Sequence, residues 1–322
     1  MTRRIDISSK TVFFITAFLL GLWILFLIKD IILLVFVAFI FMSALAPLVD
    51  KLVKWKIPRP LSILLTFLVV FGVLIGIMTA GFTPFATQTS NLSQKLVDAL
   101  GYLSTTGFID QSLIQEELSN FSRQAINFTL TLFENLLGFI SVIVITFYLL
   151  LDRERIEQKA TTLLLHQQDR AKKLLQIIEE KLGAWLRGQI ILSVIVGILV
   201  YLGLIILGIE FALPLALIAG LLEVVPIIGP IIAAIPAVLI GFTISPVTAA
   251  LVAGLYLAVQ QLEGHLIVPQ VMKRAVGLNP LLVILAITVG GRLLGIGGAL
   301  LAVPIAVVIQ VILQEVLKPA TS

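Results

Sequence analysis

The residues best placed to do chemistry in this sequence are acidic side chains set inside long apolar runs. Glu223 stands in an otherwise uncharged stretch, three residues before Pro226. A carboxylate at such depth in a bilayer costs ~2.5–3.5 kcal/mol or more. It must therefore be protonated, paired, or turned toward a wet cavity. A carboxyl that gains and loses a proton is how a carrier couples solute movement to protons. A static hydrogen bond to a broken helix is the plainer reading, and residue type alone leaves both open. Glu263 and His265 follow an apolar run that ends at Leu262, beside Gln260 and Gln261. They form a second candidate group, or they belong to a polar interface with His265 solvated. Arg292 lies at a glycine-rich break, as Glu223 lies near a proline-rich one, so a Glu223–Arg292 pair is a hypothesis the sequence permits.

Enzyme chemistry finds no support. The sequence has no Gly-x4-Gly-Lys-Ser/Thr phosphate loop and no His-Glu-x-x-His zinc motif, and His166 and His265 are its only histidines. No Ser/His/Asp set is evident. The absence of cysteine excludes disulfides, thiolate catalysis and cysteine-based metal sites. No cofactor or metal is expected, and no catalytic residue is assigned.

These residues must be positioned by membrane helices. Of the 322 residues, 59% are hydrophobic and only 12% are charged, and the mean hydropathy is +1.14. A soluble domain carries about 25% charged residues. A soluble fold with this composition would have a greasy outer shell, so the lipid bilayer is the expected solvent. The net charge of +4 does not indicate nucleic acid, because the bases sit in short clusters between apolar runs. Arg3, Arg4 and Lys10 before the first apolar run resemble a secretory signal. No small-residue cleavage pattern follows, so that run reads as a retained span.

Clear spans are expected at Thr11–Ile28, Ile31–Val49, Leu61–Phe82, Leu132–Leu151 and Gln189–Leu207, with another at Val247–Leu262. Basic residues set the orientation. Segment 152–187 carries eight Lys or Arg and the cluster Lys51, Lys54, Lys56 and Arg59 follows the second span, whereas 84–131 carries only Lys95 and Arg123. Both termini are thus expected in the cytoplasm and 84–131 outside. The expected organisation is three spans over 1–83, an extracytoplasmic helical hairpin at 84–131, a fourth span at 132–151, a cytoplasmic amphipathic segment at 152–187, and a transport core at 188–322. Leu174, Ile178, Leu182 and Trp185 form an apolar stripe in the cytoplasmic segment.

The last third contains a weak internal repeat. Pro214 to Ile240 and Pro280 to Ile309 are each an apolar arm, a Gly- or Pro-rich break and a second apolar arm. Aligning Gly229-Pro230 with Gly297-Gly298 puts Pro236 opposite Pro304. Such short arms do not cross a bilayer, so segments of about 211–243 and 278–314 read as re-entrant hairpins or broken helices. Matched breaks of this kind point to a transporter binding site, although small residues also serve simply to let helices approach. The expected fold is all-α and polytopic, with about six full spans plus two broken or re-entrant helical hairpins. The transport and ion-coupling candidates are Glu223, Pro226, Gly229, Pro230, Glu263, Arg292, Asn279, Gly297 and Gly298.

At these residues the chain resembles the autoinducer-2 exporter-like family of bacterial membrane proteins, the PerM-type permeases. The resemblance is carried by Leu186-Arg187-Gly188-Gln189, by Glu223-Val-Val-Pro226-Ile-Ile-Gly229-Pro230 with Pro236, and by the run from Gln261-Leu-Glu263 through Pro269, Gly277-Leu-Asn279-Pro280 and Gly290-Gly291 to Gly295-Ile-Gly297-Gly298-Ala-Leu-Leu-Ala302-Val-Pro304. Asn279 stands where members of that family commonly have His, a departure that bears on the site. The resemblance implies a secondary-active carrier, homo-oligomeric, in the bacterial plasma membrane. It implies export of a small polar solute such as the furanosyl signalling molecule, coupled to protons or ions. A sodium or lithium/proton antiporter is the alternative. A non-transporting membrane scaffold, which would need neither Glu223 nor the paired breaks, is the alternative of another class. Expected partners are the lipid bilayer, a small polar solute or monovalent cation, and the proton.

Overall fold

In the computed structural model, residues 9–73, 76, 136–162, 168–272, 277 and 279–317 are described. All regular structure among them is helical. The expected outer hairpin at 84–131 and the bases Lys273 and Arg274 lie outside the described residues, as does the third span beyond Val73. The helices are α1 Ser9–Leu27, α2 Lys29–Lys54, α3 Arg59–Val73, α4 Leu136–Leu151, α5 Arg153–Thr162, α6 Gln168–Ile206, α7 Ala212–Leu222, α8 Ile228–Ile244, α9 Pro246–Leu262 and α10 Pro280–Val316. A π-helical turn, Glu263–Ile267, and a last helical turn, Val268–Val271, prolong α9.

Segments Lys29–Lys54, Asp169–Ile206, Pro246–Val271 and Leu281–Glu315 are long and apolar enough to cross a membrane. Their outward faces carry side chains such as Ile206 and Leu293, exposed by 82% and 71%. Surface of that kind is stable only against hydrocarbon. The sequence predicts a cytoplasmic amphipathic segment ending at 187 and a span beginning at 189. One 39-residue helix, α6, runs through both. At 1.5 Å per residue it is roughly 58 Å long, about twice the hydrocarbon thickness. Its first half, with Ile178, Leu182 and Trp185 buried against Ile40, Val307 and Val311, is the predicted apolar stripe.

Ion pairs gather the basic clusters at one end of the bundle. Arg153 bridges Asp50 at 2.8 Å and Glu179 at 2.6 Å, Arg59 meets Glu154 at 2.9 Å, and Arg170 donates to the carbonyl of Glu315. Residues after α2, residues of α5 and early α6, and the end of α10 therefore share one side, as the charge pattern requires.

The two Gly/Pro-interrupted segments are both helical hairpins. α7 and α8 turn back on each other through Glu223–Ile227, where Ile227 holds a φ of 72°. That backbone is unfavourable for a β-branched residue and marks a tightly determined turn. The break falls before Gly229-Pro230 rather than at it, because proline is tolerated in the first turn of a helix and Pro230 sits in the first turn of α8. In α10 the break is at Gly295, with φ 63° and ψ −147°. Beyond it the chain returns. A Cβ on Gly298 would stand 2.0 Å from Gly290 O, and Gln310 Nε2 donates to Gly277 O at 3.1 Å. α10 is therefore two antiparallel arms, and only glycine allows their contact.

Small residues also draw α6, α7, α8 and α9 together. Gly220 faces Ser193 O, Gly197 faces Ala216 O, and Gly241 faces Ala249 Cα. The core between these helices holds Val196, Val200, Leu215, Ala237, Ile240 and Val252. The second hairpin, α10, packs on α6, and among the described residues its backbone does not come close to that of α7, α8 or α9.

Candidate functional site

The break between α7 and α8 carries the candidate site. α7 ends at Leu222 because the next residues lead into Pro226, which cannot extend a helix N-terminal to it without losing a hydrogen bond. Glu223 is therefore the C-terminal cap of α7, and it is 1% exposed. Gly229 closes the turn. A Cβ there would lie 1.8 Å from Leu222 O.

The opposite wall is α9. Val252, Tyr256, Val259 and Glu263 recur at spacings of four, three and four, and all are buried. Glu263 is 6% exposed and opens the π-helical turn. Such turns shift a helix's register by one residue and are frequent at functional sites. The Glu223 and Glu263 carboxyl groups stand within hydrogen-bonding reach of each other. Gln260 Nε2 donates to Glu263 Oε2 at 3.0 Å, and Gln189 Nε2 donates to the main-chain carbonyl of Glu223 at 2.7 Å. No N–H or O–H donor among the described residues reaches Glu223 Oε2, and the buried Tyr256 hydroxyl also lacks a partner there.

A cavity of about 10 Å³ lies beside Glu263, lined also by Val196, Ala219, Pro230, Tyr256 and Gln260. That is room for about one water molecule. Two carboxylates in contact in an apolar core repel strongly if both are charged. One proton between them turns the repulsion into a hydrogen bond, as in other carboxyl dyads. The arrangement can therefore hold a shared proton.

The predicted site residues divide into two groups. Glu223, Glu263, Gly229 and Pro230 come together, and Pro226 shapes the turn that carries Glu223. Arg292, Asn279, Gly297 and Gly298 belong to the other hairpin. The Glu223–Arg292 pair does not form, because the backbone of α10 does not come close to that of α7, and Arg292 is exposed. Asn279 caps α10, its Oδ1 accepting from Leu281 N at 2.9 Å. Gly297 is exposed with open space around it, whereas Gly298 is a packing contact. His265 is exposed, its ring nitrogen 3.0 Å from Gln261 O. Sequence reasoning did not assign Gln189, Tyr256 or Gln260 to the site. For the last two the signal was present, since Tyr256, Gln260 and Glu263 step by four and three along one helix face.

A family model described as AI-2E family transporter matches residues 12–318. YueF of Bacillus subtilis (strain 168) is 28% identical over 296 residues, covering 84% of this chain and 80% of YueF. The AI-2 transport protein TqsA of Escherichia coli (strain K12) is 29% identical over 290 residues, 84% of this chain and 82% of TqsA. YrrI of Bacillus subtilis (strain 168) is 34% identical over a shorter stretch, 47% of this chain and 43% of YrrI.

Proposed function

This chain belongs to the AI-2E transporter family, a family of transporters and not of enzymes, and from that premise we propose that it is a secondary-active carrier exporting a small polar solute, coupled to protons through Glu223 and Glu263. The observation that carries the reading is the buried carboxyl pair at a helix break. With one proton shared, the tip of the α7–α8 hairpin is held to α9. When the proton leaves, the two charges repel and the tip is released. Proton binding is thereby tied to the position of a broken helix, which is what coupling requires. The solute class follows from TqsA, whose name gives AI-2 as its cargo.

The proposed topology has six spans, to which α1, α2, α3, α4, the second half of α6, and α9 belong. α7, with 11 residues, is roughly 16 Å long and cannot cross about 30 Å of hydrocarbon, so α7–α8 is read as re-entrant. The α10 hairpin is read the same way, its ends returning to the side of Arg170 and Glu315. That side is proposed as cytoplasmic because it gathers the bases, with both termini there and the protein in the bacterial plasma membrane. α1 exposes apolar side chains all round, Phe13 by 76% and Trp23 by 60%. Lipid and neighbouring subunits of a homo-oligomer are its proposed surroundings.

The test is reconstitution in liposomes holding a pH dye, with AI-2, sodium or lithium added in turn. Wild-type protein is expected to move protons when AI-2 is added. Glu223→Gln keeps size and hydrogen-bonding capacity but has no proton to lose, so it is expected to insert normally and to abolish the coupled flux. Flux at the wild-type rate with unchanged pH dependence in Glu223→Gln overturns the coupling role.

A further inference from the structure

Two residues apart on α6, Arg187 and Gln189 each complete a backbone that a neighbouring helix leaves unfinished. Pro47 sits inside α2 and has no N–H, so the carbonyl of Ser43, four residues earlier, loses its helical donor. The proline ring also pushes that carbonyl outward. Arg187 Nη1 donates to Ser43 O at 3.2 Å and to Ala44 O at 3.0 Å. Gly183, one turn earlier on the same face of α6, permits the approach, since a Cβ there would stand 2.2 Å from Ser43 O. Pro47, Gly183 and Arg187 are thus one device: a helix broken by proline, a glycine that lets a second helix come close, and a guanidinium that repairs the break.

The second repair lies on another face of the same turn, about 200° around the helix. Gln189 is 3% exposed and is spent on the Glu223 carbonyl, one of those that the end of α7 leaves without an intrahelical donor. Gly188, between the two, receives Met272 at the end of the α9 extension. A Cβ on Gly188 would lie 2.8 Å from Met272 Sδ.

We propose that Arg187-Gly188-Gln189 is a three-way junction that sets the position of the Glu223 tip relative to α2 and to the end of α9, with Arg187 and Gln189 as positioning residues. The hold from Gln189 on Glu223 involves a main-chain carbonyl and is indifferent to protonation, whereas the hold from Glu263 needs a proton. When the proton leaves, the tip keeps one attachment and swings about it. The consequence for flux rests on the transport reading; the junction itself does not.

The chain has no cysteine, so spin labels on Trp55→Cys and Leu221→Cys, both exposed positions, report the distance from α2 to the hairpin in the full-length protein in lipid nanodiscs. Arg187→Leu strands a buried carbonyl and is expected to shift the docked population roughly fivefold or more toward broader distances. Adding Pro47→Ala restores an N–H to Ser43 O and is expected to return the Arg187→Leu distribution toward wild type. Arg187→Lys keeps one donor and is expected to fall between, which preserves the test if Arg187→Leu does not fold. Gln189→Leu is expected to broaden the distribution whether or not Pro47→Ala is present. An unchanged distribution in Arg187→Leu or Gln189→Leu, or an Arg187→Leu defect that Pro47→Ala leaves untouched, overturns the junction. Proton flux in liposomes, measured on the same variants, is expected to fall with the broadening and to recover with Pro47→Ala. Absence of flux in the unmutated protein, with the distance changes intact, refutes the transport reading and upholds the junction.

Discussion

Gly229→Ala offers a sharp test of the claim that the α7–α8 hairpin holds the carboxyl pair in place. The added Cβ would stand 1.8 Å from Leu222 O and 2.5 Å from Leu222 C, both backbone atoms that no rotamer change can move. A carbon–oxygen contact needs about 3.3 Å, so the end of α7 and the start of α8 must part by roughly 1.5 Å. Leu222 adjoins Glu223, and a displacement of that size lengthens a carboxyl–carboxyl hydrogen bond from about 2.6 Å to about 4 Å, beyond its range. The expected loss of stability is ~1–3 kcal/mol, the usual result of overpacking. The expected fall in the thermal midpoint is roughly 2–4 °C per kcal/mol. Coupled proton flux should drop toward that of Glu223→Gln. The control lies in α9, where a Cβ on Gly254 meets nothing within 4 Å. Gly254→Ala should leave flux intact and stabilise the helix by up to ~1 kcal/mol. A Gly229→Ala protein with a midpoint no lower than that of Gly254→Ala, and with wild-type flux, refutes the reasoning.

Glu263→Gln should reproduce the flux defect of Glu223→Gln, because loss of either carboxyl removes the shared proton; unequal effects in liposomes would show that one acts alone. Gly298→Ala places a Cβ 2.0 Å from Gly290 O and should destabilise the protein by ~1–3 kcal/mol through the second hairpin. It should nevertheless keep the infrared carboxylic-acid band that Glu223→Gln removes, since the backbone of α10 does not come close to that of α7 or α9. Cysteines at Lys172 and Glu210, both on exposed residues flanking the apolar half of α6, should react with an impermeant maleimide from opposite sides of the membrane; labelling from one side only would contradict α6 as a span.

Much was legible in the sequence because it depends on single residues and their near neighbours. Apolar runs and sparse charge require a bilayer whatever the packing. Proline lacks an N–H and glycine lacks a Cβ, so interruptions close to Gly229-Pro230 and Gly297-Gly298 follow from covalent structure, whereas their exact places, Glu223–Ile227 and Gly295, depend on the turn each segment makes. The depth of Glu223 followed from the uncharged run around it. Its partner did not. The weak repeat set Arg292 against Glu223 by symmetry, but which side chains meet depends on which helices pack, and among the described helices the backbone of α10 lies against α6 and not against α7. Glu263 lies 40 residues from Glu223 and reaches it because α9 packs on α8 and carries Glu263 on the same buried face as Tyr256 and Val259. The continuity of α6 across Gly188, the placing of Gln189 on the Glu223 carbonyl, and the repair of Pro47 by Arg187 were equally invisible. Each joins groups far apart in the chain, and the close approach that joins them exists only once the helices are assembled.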